Sequence, residues 1–482
     1  MIRPRVGLLV FSESLVREDV YRKRKPISDR EVARLISSLG DRVEIIRPEN
    51  SELRSKQQVL AAVHELTVKE AELALLYVPI FVAPALVAHC ANLLHIPLVL
   101  AGNEAPDSLS QLAFLASAGA MDQSGIRYTR IPGDLAREPN CSLFVQCSRA
   151  AAARQRLRGQ TFGSIGGRSL GISTGTTDPA GWQKLFGVDI EHIDQFEIVR
   201  RAPLVDEEAV TRQVQWLRKH ANVCFNESNF TPAHLDRQVR SYLATRQIAR
   251  SYELSFIGIK CQPEMSNHFC LQCLNVSLCN DPYDGDGPKE PLVCSCEADA
   301  DGALTMQILK LISGGSPTNL NDIASIDEHE MTLANCGAMA TWYAALSPDP
   351  AENLAAVNLI PHSFGEAGGA ATQFTVPAGI EMTFARLFRR ESAYILGVMS
   401  GRTVTRDRQC QAATIQTRPL IFAELHIDKP LFLQTFGSNH IHGVVGKFKG
   451  ELATFARLAG IQLIDYDKTA TAATAAESLM LQ

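Results

Sequence analysis

From Arg5 to about Gly133 short apolar runs alternate with amphipathic stretches of helical period. Val6–Phe11, Val43–Ile46, Leu73–Val78 and Pro97–Ala101 read as strands. Ser28–Leu39, Lys56–Ala71 and Ala83–Leu94 read as the helices around them. Strands alternating with helices predict a doubly wound parallel sheet. The basic run Arg22–Lys25 reads as a solvated loop, with an anion contact as the other reading.

A second block of the same kind starts near Arg158. Ser164–Ile172 reads as a strand entering a glycine-rich loop. Such a loop either cradles a phosphate or sugar at a helix start or allows close strand–helix packing. It lacks the GK[ST] ending of a nucleotide P-loop. Helices over Glu207–His220 and Pro232–Thr245, a strand over Leu254–Lys260 and a helix across Cys270–Leu278 follow. Pro291–Cys296 reads as a strand and Ala300–Ser313 as a helix closed by Gly314-Gly315. Beyond Ser316 strand-like runs dominate: Met331–Ala334, Ala370–Val376, Ile380–Leu387, Ala393–Met399 and Leu420–Leu425. A late helix, Gly450–Gly460, precedes the strand Gln462–Tyr466, and the Ala/Thr-rich tail Thr469–Gln482 reads as poorly ordered. The expected organisation is two doubly wound parallel α/β domains, 1–157 and 158–315, followed by a β-rich, barrel-like domain, 316–482.

Composition narrows the function classes. The chain has 482 residues, 46% of them hydrophobic and 21% charged, with a formal net charge of −5. This balance gives no reason to expect nucleic acid or an anionic membrane as partner. The Val6–Phe11 run is too short for an export signal, and no run reaches a membrane span, so the expected location is the cytoplasm. There the 12 cysteines should be reduced thiols. Cys270 and Cys273 form a CxxC, but Cys294 and Cys296 do not supply the second pair of a structural zinc site, which favours buried free thiols.

The stretch CSCEADADGALTM, Cys294–Met306, puts Glu297, Asp299 and Asp301 within five residues. Asp299 or Asp301 can cap the helix that follows. Glu297 is too early to cap and lies where open parallel sheets place ligand sites. Asp322 stands at the start of a strand-like run, and Asn439-His440-Ile441-His442-Gly443 forms a polar loop before Val444-Val445. Two carboxylates and a neutral imidazole would suit Mn²⁺ or Mg²⁺ better than a thiolate-seeking metal. Taken singly, each residue is as well explained as a cap or a loop residue.

The CEADADGALTM segment, the Asn321-Asp322-Ile323 strand start and the Asn439–Gly443 loop resemble the metal-site region of the L-fucose/L-arabinose isomerase family. Gly163–Ile172, Ile257–Gln262, Leu333–Gly337 and Gly368–Phe374 with Met382–Leu387 resemble further segments of it. The resemblance runs from about Arg158 to Tyr466, and the chain resembles a shorter, divergent member. It implies a metal-dependent aldose–ketose isomerase of a free sugar, acting through an ene-diol. The sugar would resemble L-fucose, D-arabinose or L-arabinose, or be a modified relative. Glu297 and Asp322 would be acid/base pair and ligands of Mn²⁺ (or Mg²⁺ or Co²⁺). His442 would be the third ligand, because Gly443-Val444-Val445 follows it as in the family, with His440 as competitor. Gln262, Asn335 and His440 would contact substrate. A homo-oligomer, trimer or hexamer, is also implied. Three other classes stay open: a non-catalytic sugar-binding protein, another divalent-metal carbohydrate enzyme such as an aldolase or epimerase, and a structural zinc protein.

Overall fold

The computed structural model describes residues 3–13, 18–407 and 417–467. The chain divides into two compact units, Met1–Arg156 and Leu157–Gln482. The central sheet and the β-rich region, expected as separate domains, are thus parts of the second unit. The tail expected to be poorly ordered lies outside the described residues.

The first unit is built on five parallel strands, Arg5–Val10, Glu44–Ile46, Leu73–Tyr77, Leu98–Gly102 and Thr129–Asp134. Their order across the sheet is second, first, third, fourth, fifth. Leu73–Tyr77 and Leu98–Gly102 are buried throughout, which explains their unbroken apolar sequence. Helices cover the sheet, and their apolar stripes join one core that includes Leu9, Val59, Leu76, Val87, Leu100 and Met121. The run Arg22–Lys25 corrects the reading: it lies inside the helix Glu18–Leu39, not in a loop. Arg24 pairs there with the buried Glu13, and Lys25 reaches Asp29 at 2.7 Å. Basic side chains matched by nearby carboxylates can extend a helix that charge density alone does not suggest.

The second unit opens with four parallel strands, Thr161–Ile165, Asp189–Ile193, Phe256–Ile259 and Cys294–Cys296. In the sheet they follow the same order as the first four strands of unit one. Strand order therefore reverses between Thr161–Ile165 and Phe256–Ile259, and ligands in such sheets gather beyond the carboxyl ends at the reversal. Phe162, Trp182 and Phe256 pack beneath with ring centroids 5.2–6.2 Å apart.

Six antiparallel strands then close into a barrel: Thr318–Ile326, Glu330–Ala334, Leu420–Glu424, Ala393–Thr403, Glu381–Arg390 and His440–Val445, in order around the ring. Closure removes the exposed strand edges. Gln462–Asp465 adds a parallel strand outside it, along Ala393–Thr403. The helix Ala300–Ile312 joins sheet to barrel, packing against Thr318–Ile326, Glu381–Arg390 and His440–Val445. It is buried almost throughout, with Ile312 at its end followed by the left-handed Gly314 and Gly315.

Candidate active site

The carboxyl end of Cys294–Cys296 leads into an unusual turn. Glu297 and Ala298 both adopt left-handed backbone, with φ of 60° and 53°. For non-glycine residues this costs on the order of 1–3 kcal/mol each and is typical of functional positions. Gly258 on the next strand makes room, since a Cβ there would lie 3.1 Å from the Ala298 Cα. The turn ends at Asp299, whose Oδ1 accepts the Gly302 amide at 2.9 Å and caps the helix Ala300–Ile312.

The barrel brings the other groups. Asp322 and His440 are direct cross-strand partners on Thr318–Ile326 and His440–Val445. Such pairs hold their Cβ atoms about 5 Å apart. His440 Nε2 lies 3.2 Å from Glu297 Oε2 and 3.4 Å from Asp322 Oδ1. Its Nδ1 meets Asp299 Oδ2 at 2.8 Å. The imidazole is 1% exposed, against 15% for the Glu297 side chain and 35% for Asp322. It therefore forms a buried floor beneath two carboxylates that reach solvent. Asn439 Nδ2 also donates to Asp322 Oδ1, at 3.3 Å.

Asp299 is held from behind. Its Oδ2 accepts from Arg386 Nη1 at 2.5 Å, and Arg386 is fully buried. Arg386 Nη2 donates to the Thr174 carbonyl at 2.8 Å. Gly175 permits this approach, since a Cβ there would lie 3.0 Å from the Asp299 Cα. The glycine-rich segment thus leads to a support for Asp299, the packing role, while its Ser169 hydroxyl donates to the Gln262 carbonyl at 3.0 Å. Asp301 pairs similarly with Arg389 at 3.0 Å.

The charges follow. Burial works against ionised Asp299, but Arg386 and then His440 outweigh it and hold the carboxyl well below its usual range. Burial pushes Glu297 up. Burial also opposes a charged His440, yet hydrogen bonds to Asp299, Asp322 and Glu297 raise it well above an ordinary imidazole. With a neutral imidazole, the three carboxylates and the single Arg386 would leave two negative charges uncompensated.

Two residues sit elsewhere than expected. His442 is fully buried, and neither ring nitrogen has a hydrogen-bond partner. It packs against the first turn of Ala300–Ile312, where a Cβ on Gly302 would lie 2.7 Å from its Nε2. Burial and then Arg386 push its pKa well below the ordinary value. His440 and His442 share one strand face; His440, at the strand's start, is the one opposite Asp322. Asn335 is buried in a turn. Its amide donates to the Leu320 carbonyl at 2.6 Å and its oxygen accepts the Gly337 and Ala338 amides at 3.0 and 2.5 Å. That side chain shapes a turn and is 1% exposed. Gln262 is half-buried at the carboxyl end of Phe256–Ile259, the side where Glu297 lies. The expected loop at His440–His442 is the strand His440–Val445. As the side chains stand, no group of three or more His, Cys, Asp or Glu among the described residues is arranged to hold a metal ion. Cys270 and Cys273 are buried free thiols.

Fold and site together define the class: an α/β protein with an acidic, imidazole-floored group at the carboxyl end of a parallel sheet, completed by a β-barrel. Residues 160–251 match the L-fucose isomerase second N-terminal domain, and residues 333–467 match the L-fucose isomerase C-terminal domain. These two matches, together with the relatives that follow, fit a divergent member of the L-fucose isomerase family. It is 26% identical over 189 residues to a sulfoquinovose isomerase of Alkalicoccus urumqiensis, covering 39% of this chain and 40% of that protein. A sulfoquinovose isomerase of Clostridium sp. (strain MSTE9) is 23% identical over 324 residues, 66% of this chain and 67% of that one. An L-fucose isomerase of Bacteroides fragilis is 23% identical over 415 residues, 70% of each chain. The match thus spans from 40% to 70% of the length of these relatives. No helix among the described residues is long and apolar enough to cross a membrane.

Proposed function

We propose that this protein is a divalent-metal-dependent aldose–ketose isomerase of a free sugar, working through an ene-diol(ate). The observation that carries the reading is the convergence of Glu297, Asp322 and His440 from two different sheets onto one half-open point. The family match and the isomerase relatives support the reaction class. Relatives named for L-fucose and for sulfoquinovose support a deoxy or sulfonated sugar as substrate.

The donor set fits a hard divalent ion. Two carboxylates and an imidazole match Mn²⁺ or Mg²⁺, and Glu297 Oε2 is buried, facing His440 Nε2 at 3.2 Å. Glu297, Asp322 and His440 would hold it, with His440 in place of His442. When bound, such an ion supplies Lewis-acid polarisation of the sugar's vicinal oxygens.

The protein's own groups do the rest. With an ion in place of the Nε2 proton, Asp299 would keep the remaining ring proton on Nδ1 and orient the Nε2 lone pair to the site. Glu297, raised by burial, is suited to take the C2 or C1 proton of the open-chain sugar and return it to the other carbon. Asp322, more exposed, would act from the opposite side on the hydroxyl proton. The Glu297–Ala298 strain holds the base in place rather than letting it relax. A cyclic trimer or hexamer belongs to the same proposal.

The test is Glu297→Gln. It keeps size and the left-handed turn but removes the base. Turnover should fall by at least ~10²-fold, the usual range for a lost acid/base group, with the unfolding midpoint unchanged. Near-wild-type isomerisation by this variant would overturn the assignment.

A further inference from the structure

Three thiols meet directly behind Glu297. Cys296 is the last residue of its strand and Cys336 lies in the turn after Glu330–Ala334; their sulfurs are 3.2 Å apart. Cys273 Sγ contacts the Cys336 carbonyl at 3.5 Å instead. Cys336 is clamped on both sides. Asn335 pins its turn through the Gly337 and Ala338 amides, and His362 Nε2 meets the Cys336 carbonyl at 2.6 Å. Cys296 is buried, whereas Cys336 is half-buried and lines a small recess with His362, Ser363, Thr417 and Arg418. Cys336 is thus the more exposed residue of the pair.

We propose that Cys296 and Cys336 are a modification site that closes to an intrachain disulfide under a hydroperoxide and so displaces Glu297. The Cys336 thiolate attacks one peroxide oxygen, the O–O bond breaks, and hydroxide leaves, giving a sulfenic acid at Cys336. Cys296 sulfur then attacks the Cys336 sulfur; its proton and the departing hydroxyl form water. Two thiols are oxidised and one hydroperoxide is reduced. Bonded sulfurs stand about 2.0 Å apart, so closure draws the two together by roughly 1 Å. The Cys336 carbonyl is held by His362 and the Cys296 carbonyl by the Asp299 amide at 3.2 Å, so both sides share the movement, and the share of Cys296 passes to Glu297 next to it. A displacement of about 1 Å at a catalytic group costs on the order of 100-fold in rate. The loss of turnover rests on the isomerase reading; the cross-link does not.

The test treats the reduced, full-length, Mn²⁺-loaded protein with hydrogen peroxide, blocks the remaining thiols and maps peptides by mass. The expected result is a Cys296–Cys336 linked pair that dithiothreitol reopens. Sugar isomerisation should fall roughly 100-fold with the link and return on reduction. Cys336→Ser should keep its turnover under peroxide, while Cys273→Ala should behave as wild type. A linked pair with unchanged turnover overturns the displacement of Glu297. Over-oxidised or unmodified Cys336 without the link, or a Cys273–Cys336 link, overturns the site itself, whatever the protein's activity. The peptide map of the wild-type chain decides this even if a variant does not fold.

Discussion

Replacing Asp299 with Asn separates a helix cap from a support for the site. Asparagine caps helices as well as aspartate, so the bond from the Gly302 amide to the side-chain oxygen survives. The other oxygen becomes an NH₂ group, facing His440 Nδ1, now at 2.8 Å, and the Arg386 guanidinium. An amide N–H can only donate to Nδ1, which drives the ring proton to Nε2. The lone pair turned toward Glu297 and Asp322 is then lost. Removing the carboxylate behind a metal-binding histidine typically costs 10- to 100-fold in affinity, about 1.4–2.7 kcal/mol. Arg386, fully buried, also loses its partner. Breaking a buried pair costs roughly 3–5 kcal/mol; the Thr174 carbonyl still accepts from Arg386, so the lower end is expected. Calorimetric titration of Mn²⁺ into EDTA-stripped protein, below the melting transition of the variant, reads the first effect, and urea unfolding reads the second. If Asp299→Asn binds Mn²⁺ within threefold of wild type while losing stability, Asp299 is a cap and a charge partner only.

Other consequences follow from the same geometry. His440→Gln should abolish Mn²⁺ binding at concentrations that saturate the wild type. His442→Leu should bind as wild type, because a buried imidazole without partners can be replaced by an apolar group of similar size at little cost; the same titration separates them. Asp281 is fully buried, accepts from the Thr341 hydroxyl at 2.7 Å and the Trp342 amide at 2.9 Å, and burial pushes it up to about 6. A raised carboxyl is fully stabilising below its unfolded value near 3.8, and that contribution is lost as pH rises through the folded value. Urea unfolding should therefore show wild type losing on the order of 2–3 kcal/mol relative to Asp281→Asn between pH 4 and 7; parallel curves for the two proteins would refute this.

Much of the fold was legible where one signal acted alone. Glu207–His220 has a strong amphipathic period, an Asp206 cap and Arg218–Lys219–His220 at its end, and its limits match the reading residue for residue. The parallel strands were readable from apolar runs because both faces are covered. Glu18–Leu39 was cut short because Arg22–Lys25 and Pro26 hide the period, while the stabilising partners Glu13 and Glu52 lie outside the helix. At the site, Glu297 stood out as an acid at a strand's carboxyl end; Asp322, expected at a strand start, lies in the middle of Thr318–Ile326. Asp299 was legible as a cap, but its contact with His440 depends on barrel closure, which no local pattern encodes. The choice between His440 and His442 turned on register, and two residues on one strand face look alike until the partner strand is placed. Arg386 was missed, although a charged residue amid the apolar run Met382–Phe388 was a signal that it would be buried and paired.

Proton exchange tests the central claim most directly. EDTA-stripped protein, with and without Mn²⁺, is incubated in D₂O with L-fucose, D-arabinose, L-arabinose and a sulfonated hexose, and the C2 proton and ketose signals are followed by NMR. The account predicts metal-dependent exchange and ketose of unchanged carbon skeleton from at least one sugar, absent in Glu297→Gln. Exchange at full rate without metal, or cleavage of a carbon–carbon bond in its place, would contradict it.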